Sequence, residues 1–565
     1  MNDSPRPAHN PWLSVAIVCL AQLMVVLDAT IVNVALPSIQ HGLKLTTGNL
    51  QWVVNAYTLT FGGFLLLGGR LADLFGRRQL FFVGVTLFSV AIVCLAQLMV
   101  VLDATIVNVA LPSIQHGLKL TTGNLQWVVN AYTLTFGGFL LLGGRLADLF
   151  GRRQLFFVGV TLFSVASLID GIASSSGMLI GARALQGIGA ALVSPATLAI
   201  VNTTFPDGDD QRKALSLWAA LSAGGAAVGL LLGGVLTQAF SWPWIFFVNV
   251  PIGAAAVVLA LRFVPGGRGE VAQRGADILG ALSITGGLAL LIYVIVKTQS
   301  YGWGSARTLV LGAVALALIV AFVGIEARVR APLVRLAIFR TRALAVGDGA
   351  MFFLGAGLFA NFFFGTLYLQ EILHFTPIAT GFAFLPVAVL IGVAAGISQR
   401  IVPRFGIRAV AVAGMAIAAG GLALMVRVSV NGTYAGTLLP AFILLAVGLG
   451  LAFVPATLIG VSSVHGDDAG LASGLFNTAQ QVGGALGLAI LATLASSRTT
   501  TLIAGLGHHP TTHALAGATV SGYRIAFLVA AGFMMTAILV LVAFLRPRHL
   551  ETVSVEGDLA TAATA

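Results

Sequence analysis

Apolar runs of about 20 residues, the length of one helical crossing of a bilayer core, follow one another along almost the whole chain with only short polar breaks. The pattern predicts spans at 12–36, 50–74, 80–111, 125–149, 155–173, 178–203, 214–237, 244–264, 278–296, 309–326, 343–368, 382–402, 409–425, 435–459, 472–495 and 525–545. That makes an all-α polytopic membrane protein. The polar stretch Ser496–Tyr523, with His508, His509 and His513 and no acidic or cysteine companion, is expected to be an external flexible loop.

The first part of this pattern is a copy. Ser14–Ala91 and Ser89–Ala166 are identical, offset by 75 residues. Two origins stay open, a recent duplication or assembly error and a selected extra helix pair. Without the copy the sixteen spans become fourteen. The duplication also fuses half a span to a whole one, so that 80–111 forms a single apolar run of 32 residues. As one helix this run would be about 48 Å long, so it must tilt, protrude, kink or break, and strain or disorder is expected there. The second copy runs without interruption into the third span at Leu155, whereas the first ends in half of that span, so the second copy is expected to work in the bundle.

Composition excludes a soluble core: 58% of residues are hydrophobic and 9% charged, against roughly 25% charged in ordinary soluble domains. The net charge of +11 does not point to nucleic acid, because the basic residues sit in short loops rather than along one helix face. With the N-terminus in the cytoplasm, Arg70, Arg77, Arg78, their copies, Arg212, Lys213, Arg262, Arg268, Arg274, Arg328, Arg330, Arg335, Arg340, Arg342, Arg400, Arg404, Arg408, Arg546 and Arg548 fall inside. Few fall outside, among them Lys119, Lys297, Arg307 and Arg427, which is the asymmetry that sets topology. Both termini are then expected on the cytoplasmic side of the inner (plasma) membrane. The first apolar run carries no cleavage pattern and is expected to remain as a span. Cys19 and Cys94 are one residue in two copies, so no disulfide framework is expected.

Some polar residues sit inside or at the ends of the spans, where a charge costs about 2.5–3.5 kcal/mol on insertion scales. GGRLADLFGRR, at Gly68–Arg78 and Gly143–Arg153, places an acid and three arginines at a cytoplasmic helix junction. It resembles the cytoplasmic-loop signature of the major facilitator superfamily, with a weaker echo in GISQRIVPRFGIR at Gly396–Arg408. RALQGIGAALVSPA (Arg183–Ala196) is similar to that family's fourth-span motif. LDATIVNVALP (Leu102–Pro112, and Leu27–Pro37 in the first copy) looks like the first-span signature of its fourteen-span drug:proton antiporters. WAALSAGGAAVGLLLGGVL (Trp218–Leu236) resembles the fifth-span antiporter motif but has Ala227 and Val228 near the usual Gly-Pro pair. WPWIFFVNVPIG has Pro243 where the family commonly has arginine. YLQEILHFTPIATGFAFLP and GLASGLFNTAQQVGGALGLAIL complete a resemblance that covers nearly the whole chain outside the extra copy.

The resemblance implies a fold of two pseudo-symmetric six-helix bundles, at 89–264 and 343–545. A linker with two extra spans would occupy 265–342, a supernumerary copy 1–88 and a cytoplasmic tail 546–565. It implies that Asp103 and Arg183 couple protons to transport. Counted from the outer helix ends they would lie about 12 Å and about 8 Å deep, near enough for a salt bridge or a water-linked pair. It implies a cytoplasmic latch of Gly144, Arg145, Asp148, Gly151, Arg152 and Arg153, with Asp148 and Arg152 as its charged pair. Asn361, Gln370, Glu371, Asn477, Gln480 and Gln481 are polar groups in or near apolar spans, candidates for a substrate cavity or for interhelical hydrogen bonds. Asp28, Arg70 and Asp73 would be spare.

The expected function is proton-coupled export of a small, lipophilic or cationic compound by a monomer, driven by the proton gradient with no cofactor and no metal. An importer or facilitator of a metabolite on the same fold and a product disabled by its duplication remain alternatives. A membrane-embedded enzyme has no nucleotide loop, metal cluster or nucleophile to support it.

Overall fold

In the computed structural model the described residues are 77–204, 225–263, 277–329, 332–461, 464, 469–506 and 510–545. The chain forms two compact units, Met1–Thr86 and Leu87–Ala565, and the architecture below belongs to the second. The expected spans 12–36 and 50–74, and with them Asp28, Arg70 and Asp73, lie outside the described residues, as do most of the linker loop and the C-terminal tail.

No strand occurs among the described residues. The N-terminal helices are α1 (Arg77–Leu118), α2 (Thr122–Phe150), α3 (Arg152–Gly171), α4 (Ser176–Thr204), α5 (Gly225–Ala239), the short α6 (Trp244–Phe247) and α7 (Asn249–Phe263). The linker pair is α8 (Ile278–Tyr301) and α9 (Ala306–Glu326). The C-terminal helices are α10 (Arg342–Leu367), α11 (Pro377–Phe405), α12 (Ile407–Met425), α13 (Leu439–Gly460), α14 (Ala469–Ala504) and α15 (Thr512–Phe544). Thirteen described helical segments are long and apolar enough to cross a membrane, and α5 is a shorter apolar helix. Each keeps its backbone hydrogen bonds within itself, the condition lipid imposes.

Of the outcomes open to the fused run at 80–111, a break is not the one adopted: α1 is one helix of 42 residues, and it continues through Pro112 to Leu118, past the predicted end at 111. Two further expectations change. The loop expected over Ser496–Tyr523 is mostly helix, because α14 reaches Ala504 and α15 begins at Thr512, capped by the Thr511 hydroxyl. Apolar counting ends a helix where the lipid would end, but intrahelical hydrogen bonds continue into the polar turns beyond. The predicted end of the span at 368 likewise extends through a π turn over Tyr368–Ile372, which carries Gln370 and Glu371.

Two junctions reveal the internal repeat. Between α2 and α3, Gly151 adopts φ 93°, a region that favours glycine, and donates its N–H to Ala147 O. Between α11 and α12, Gly406 adopts φ 83° and donates to Val402 O at 2.9 Å. Two residues after each glycine an arginine closes its half. Arg153 Nη2 donates to Leu261 O near the end of α7 at 2.5 Å, and Arg408 Nη2 donates to Val542 O near the end of α15 at 2.8 Å. A cation on the final carbonyls of a helix is favourable, because they carry the negative end of its dipole. The motif echo at Gly396–Arg408 is therefore a geometric one.

The two bundles meet along two seams. Along one, the Thr478 hydroxyl of α14 donates to Gly137 O of α2 at 3.1 Å. Along the other, α5 lies against α11, with Gln238 Oε1 accepting from Ile378 N at 3.2 Å. The opposite face of α5 is a glycine stripe that lets α1 come close, since a Cβ on Gly233 would sit 2.7 Å from Ile106 O. The largest apolar core joins residues of both bundles, from Leu102 and Ile106 to Phe364, Phe384 and Phe442.

Candidate functional site

Four helices deliver one buried polar cluster into the N-terminal bundle. Asp103 comes from α1, Arg183 and Gln186 from successive turns of one face of α4, Ser167 from α3 and Asn249 from the first turn of α7. All five are at most 1% exposed. Glycines make this convergence possible: a Cβ on Gly189 of α4 would lie 2.7 Å from the backbone nitrogen of Phe163 on α3.

Arg183 Nη1 donates to Asp103 Oδ2 at 2.6 Å, and Arg183 Nε donates to Val128 O at 3.0 Å. Arg183 Nη1 also donates to Gln186 Oε1. With its oxygen so engaged, the Gln186 amide donates from Nε2 to Asp103 Oδ1 at 2.8 Å and to Ser167 Oγ at 2.5 Å. Asn249 Nδ2 donates to Asp103 Oδ1 at 2.8 Å and to Ser167 Oγ at 3.3 Å. Asp103 therefore accepts from three side chains, which is what a buried carboxylate needs to remain charged. The Arg183 guanidinium also lies over the Tyr132 ring at 4.4 Å and faces the Phe246 ring at 5.7 Å. Phe246 meets Trp242 edge-on, and Trp242 packs at Gly117 of α1. An aromatic layer thus covers the ion pair on the side where α1 ends.

The pair predicted from two motifs is a direct ion pair. It involves the second copy, since Asp103 is the copied counterpart of Asp28. Sequence reading missed Ser167, Gln186, Asn249 and Tyr132 as its partners. Gln186 and Asn249 lie inside the quoted motifs, and the signal that could have found Gln186 is its spacing of three from Arg183, which puts both on one helical face.

The latch residues divide. Gly151 makes the junction and Arg153 closes onto Leu261, as above. Arg145 is half-buried and its Nε has no partner. Asp148 belongs to the end of α2, and its expected pairing with Arg152 lies outside the described side chains. Gly143 packs at Ala191 O of α4 and Gly144 near Pro195.

The cavity candidates are dispersed. Asn361 on α10 is fully buried with neither amide atom partnered. Gln370 Nε2 donates across the bundles to Val109 O of α1 at 2.8 Å, and Glu371 Oε2 accepts from the Tyr523 hydroxyl at 2.8 Å. Asn477 Nδ2 donates within its own helix to Ser473 O at 3.1 Å. The Gln480 backbone packs at Gly355 of α10 within the C-terminal bundle, whereas half-buried Gln481 packs at Gly137 of α2 across the seam. Among the described residues no group of His, Cys, Asp or Glu could hold a metal ion.

The family model described as Major Facilitator Superfamily matches residues 18–100 and 93–488. The chain belongs to the major facilitator superfamily. It is thus a multi-span membrane transporter rather than an enzyme. The overlapping double match falls on the two copies of the duplicated segment. Among curated relatives, "Puromycin resistance protein pur8" of Streptomyces alboniger is 42% identical over 80% of this chain and 90% of that protein. "Cephamycin export protein CmcT" of Amycolatopsis lactamdurans is 39% identical over 74% of this chain and 87% of the other. Among solved structures, the POT family transporter PepTSo superposes with a TM-score of 0.60 at 15% identity, covering 82% of this chain and 98% of that one. At that identity the likeness speaks for the fold alone.

Proposed function

We propose that this transporter exports small lipophilic or cationic compounds, antibiotics among them, across the cytoplasmic membrane in exchange for protons. The observation that carries the reading is the sealed Asp103–Arg183 pair inside two spans, in a chain whose relatives bear names of antibiotic resistance and export. A charge pair inside a membrane protein marks an ion or proton path more often than it serves packing. Breaking such a pair leaves an uncompensated charge that costs about 3–5 kcal/mol, enough to change which conformation is preferred.

Protonation of Asp103 removes the charge that holds Arg183, Gln186 and Asn249 together, and so loosens α1 from α4 and α7. Substrate enters between the bundles, near Asn361, Asn477, Gln480 and Gln481. Gln370 and Glu371 act at the end of the cavity, where Gln370 ties α10 to α1. The proton gradient supplies the energy. The arginine-rich helix ends face the cytoplasm, with both termini on that side, and one copy of the chain suffices. Asp148 and Arg152 form the charged pair of the latch that holds the basic end closed.

Everted, energised vesicles carrying the protein test this reading. Addition of puromycin as a probe is expected to release protons from the vesicle lumen, and the release is expected to vanish in Asp103→Asn and with an uncoupler. A metabolite importer is the second reading, favoured by Ala227 and Val228 in place of the fifth-span Gly-Pro pair. It predicts no response to any lipophilic cation.

A further inference from the structure

The polar cluster contains one cation and, one helical turn away, a second carboxyl group. Asp170 lies three residues beyond Ser167 on the same face of α3. It is fully buried, and neither of its oxygens has a hydrogen-bond partner. It stands within electrostatic reach of both Arg183 and Asp103. The contrast with Asp103 is sharp, because Asp103 receives Arg183, Gln186 and Asn249 and Asp170 receives nothing.

We infer that Asp170 is the carboxyl group that bears the exchangeable proton in this conformation, while Asp103 is held as the carboxylate of the ion pair. This inference rests on the proton-exchange reading above. Two ionised acids beside one arginine would leave a net negative charge in a sealed, apolar site, with one of them lacking any donor. Isolating an ionised carboxylate in that way is so unfavourable that such a group takes up a proton instead. The charged and titratable groups facing Asp170 are Arg183 of α4 and Asp103 of α1, with Tyr132 of α2 stacked on that arginine.

The arrangement is a two-position switch. Transfer of the proton from Asp170 to Asp103 leaves Asp170 ionised and Asp103 neutral, and the charge of the site is conserved. Arg183 then exchanges its partner on α1 for one on α3. Ser167, one turn before Asp170 on α3, accepts from Gln186 and Asn249, the two amides that also donate to Asp103, and so holds α3 against the ion pair. Asp170 is a proton-carrying residue in this scheme, and Ser167 a positioning one.

Infrared difference spectroscopy on the purified full-length protein at neutral pH reads protonated carboxyl groups directly and requires no transport. Other buried acids, Asp348 among them, cancel in a wild-type-minus-variant spectrum. Asp170→Asn is expected to remove one protonated-carboxyl band, and Asp103→Glu, which keeps a carboxylate beside Arg183, is expected to leave that band at its frequency. A band that survives Asp170→Asn overturns the inference, as does one that shifts in Asp103→Glu and not in Asp170→Glu. If Asp170→Asn does not accumulate as folded protein, Asp170→Glu carries the test: the band must shift in frequency, and an unshifted band overturns the proposal. Puromycin-driven proton release measured on the same preparations separates the two ideas. Loss of the band in a protein that shows no export would leave the assignment of the proton standing and defeat the export reading.

Discussion

The two bundles share a junction geometry, but only the first joins its buried polar residues into a network around an ion pair. In the N-terminal bundle, Asp103, Arg183, Gln186, Ser167 and Asn249 form one connected network with a direct ion pair. In the C-terminal bundle the core is aromatic, with Phe384 stacked on Phe442 and Phe364 packed edge-on against Phe527, and buried Asn361 and Asp348 have no partner. A connected network has discrete arrangements and stores a definite charge. An aromatic core with isolated polar atoms has no such set of alternative charge arrangements. The contrast supports the proposed division of labour, with coupling in the first bundle and substrate adaptation in the second.

The contrast can be broken at several strengths. Asp103→Ala is expected to have the largest effect, since it removes the carboxylate on which Arg183, Gln186 and Asn249 converge. Thermal unfolding should report a loss of about 3–5 kcal/mol, and vesicle assays should show no proton exchange. Arg183→Lys keeps the charge but loses the planar fork that reaches Asp103, Gln186 and Val128 together. It should cost about 1.5–3 kcal/mol and lower exchange, read in the same two assays. Gly233→Val comes next: the added side chain meets Ile106 O, and overpacking of α5 on α1 is worth about 1–3 kcal/mol, visible as reduced folded yield in detergent. Asn361→Ala in the second bundle should cost little stability, because no hydrogen bond is lost, yet change which compounds confer resistance in growth assays. The smallest effect is expected from Asp28→Asn, which should leave transport unchanged, because Asp103 already occupies the working position.

Much of the fold was legible because membrane spans are read from apolar length, and because the internal echo of Gly151 in Gly406 is written in sequence. Helix ends were not, as α1 beyond 111 and the helical stretch around His513 show: backbone hydrogen bonding does not stop where apolarity does. At the site, Asp103 and Arg183 stood out because a charge in an apolar run is rare and expensive. Ser167 and Asn249 did not, since a hydroxyl or an amide in a span costs little and gains meaning only when four helices converge on it. Asp170, like Asp103 a lone acid in an apolar run, belonged to none of the motifs and was not singled out. The grouping of Gln370 and Glu371 with Asn477, Gln480 and Gln481 followed polarity alone, and three-dimensional packing separates them.

Puromycin-induced proton release from everted, energised vesicles tests the central claim most directly, comparing the wild-type chain, Asp103→Asn and a version lacking Ala16–Val90. The account predicts release by the wild type and by the shortened chain, and none by Asp103→Asn. Equal release with and without the Asp103 carboxylate would contradict it.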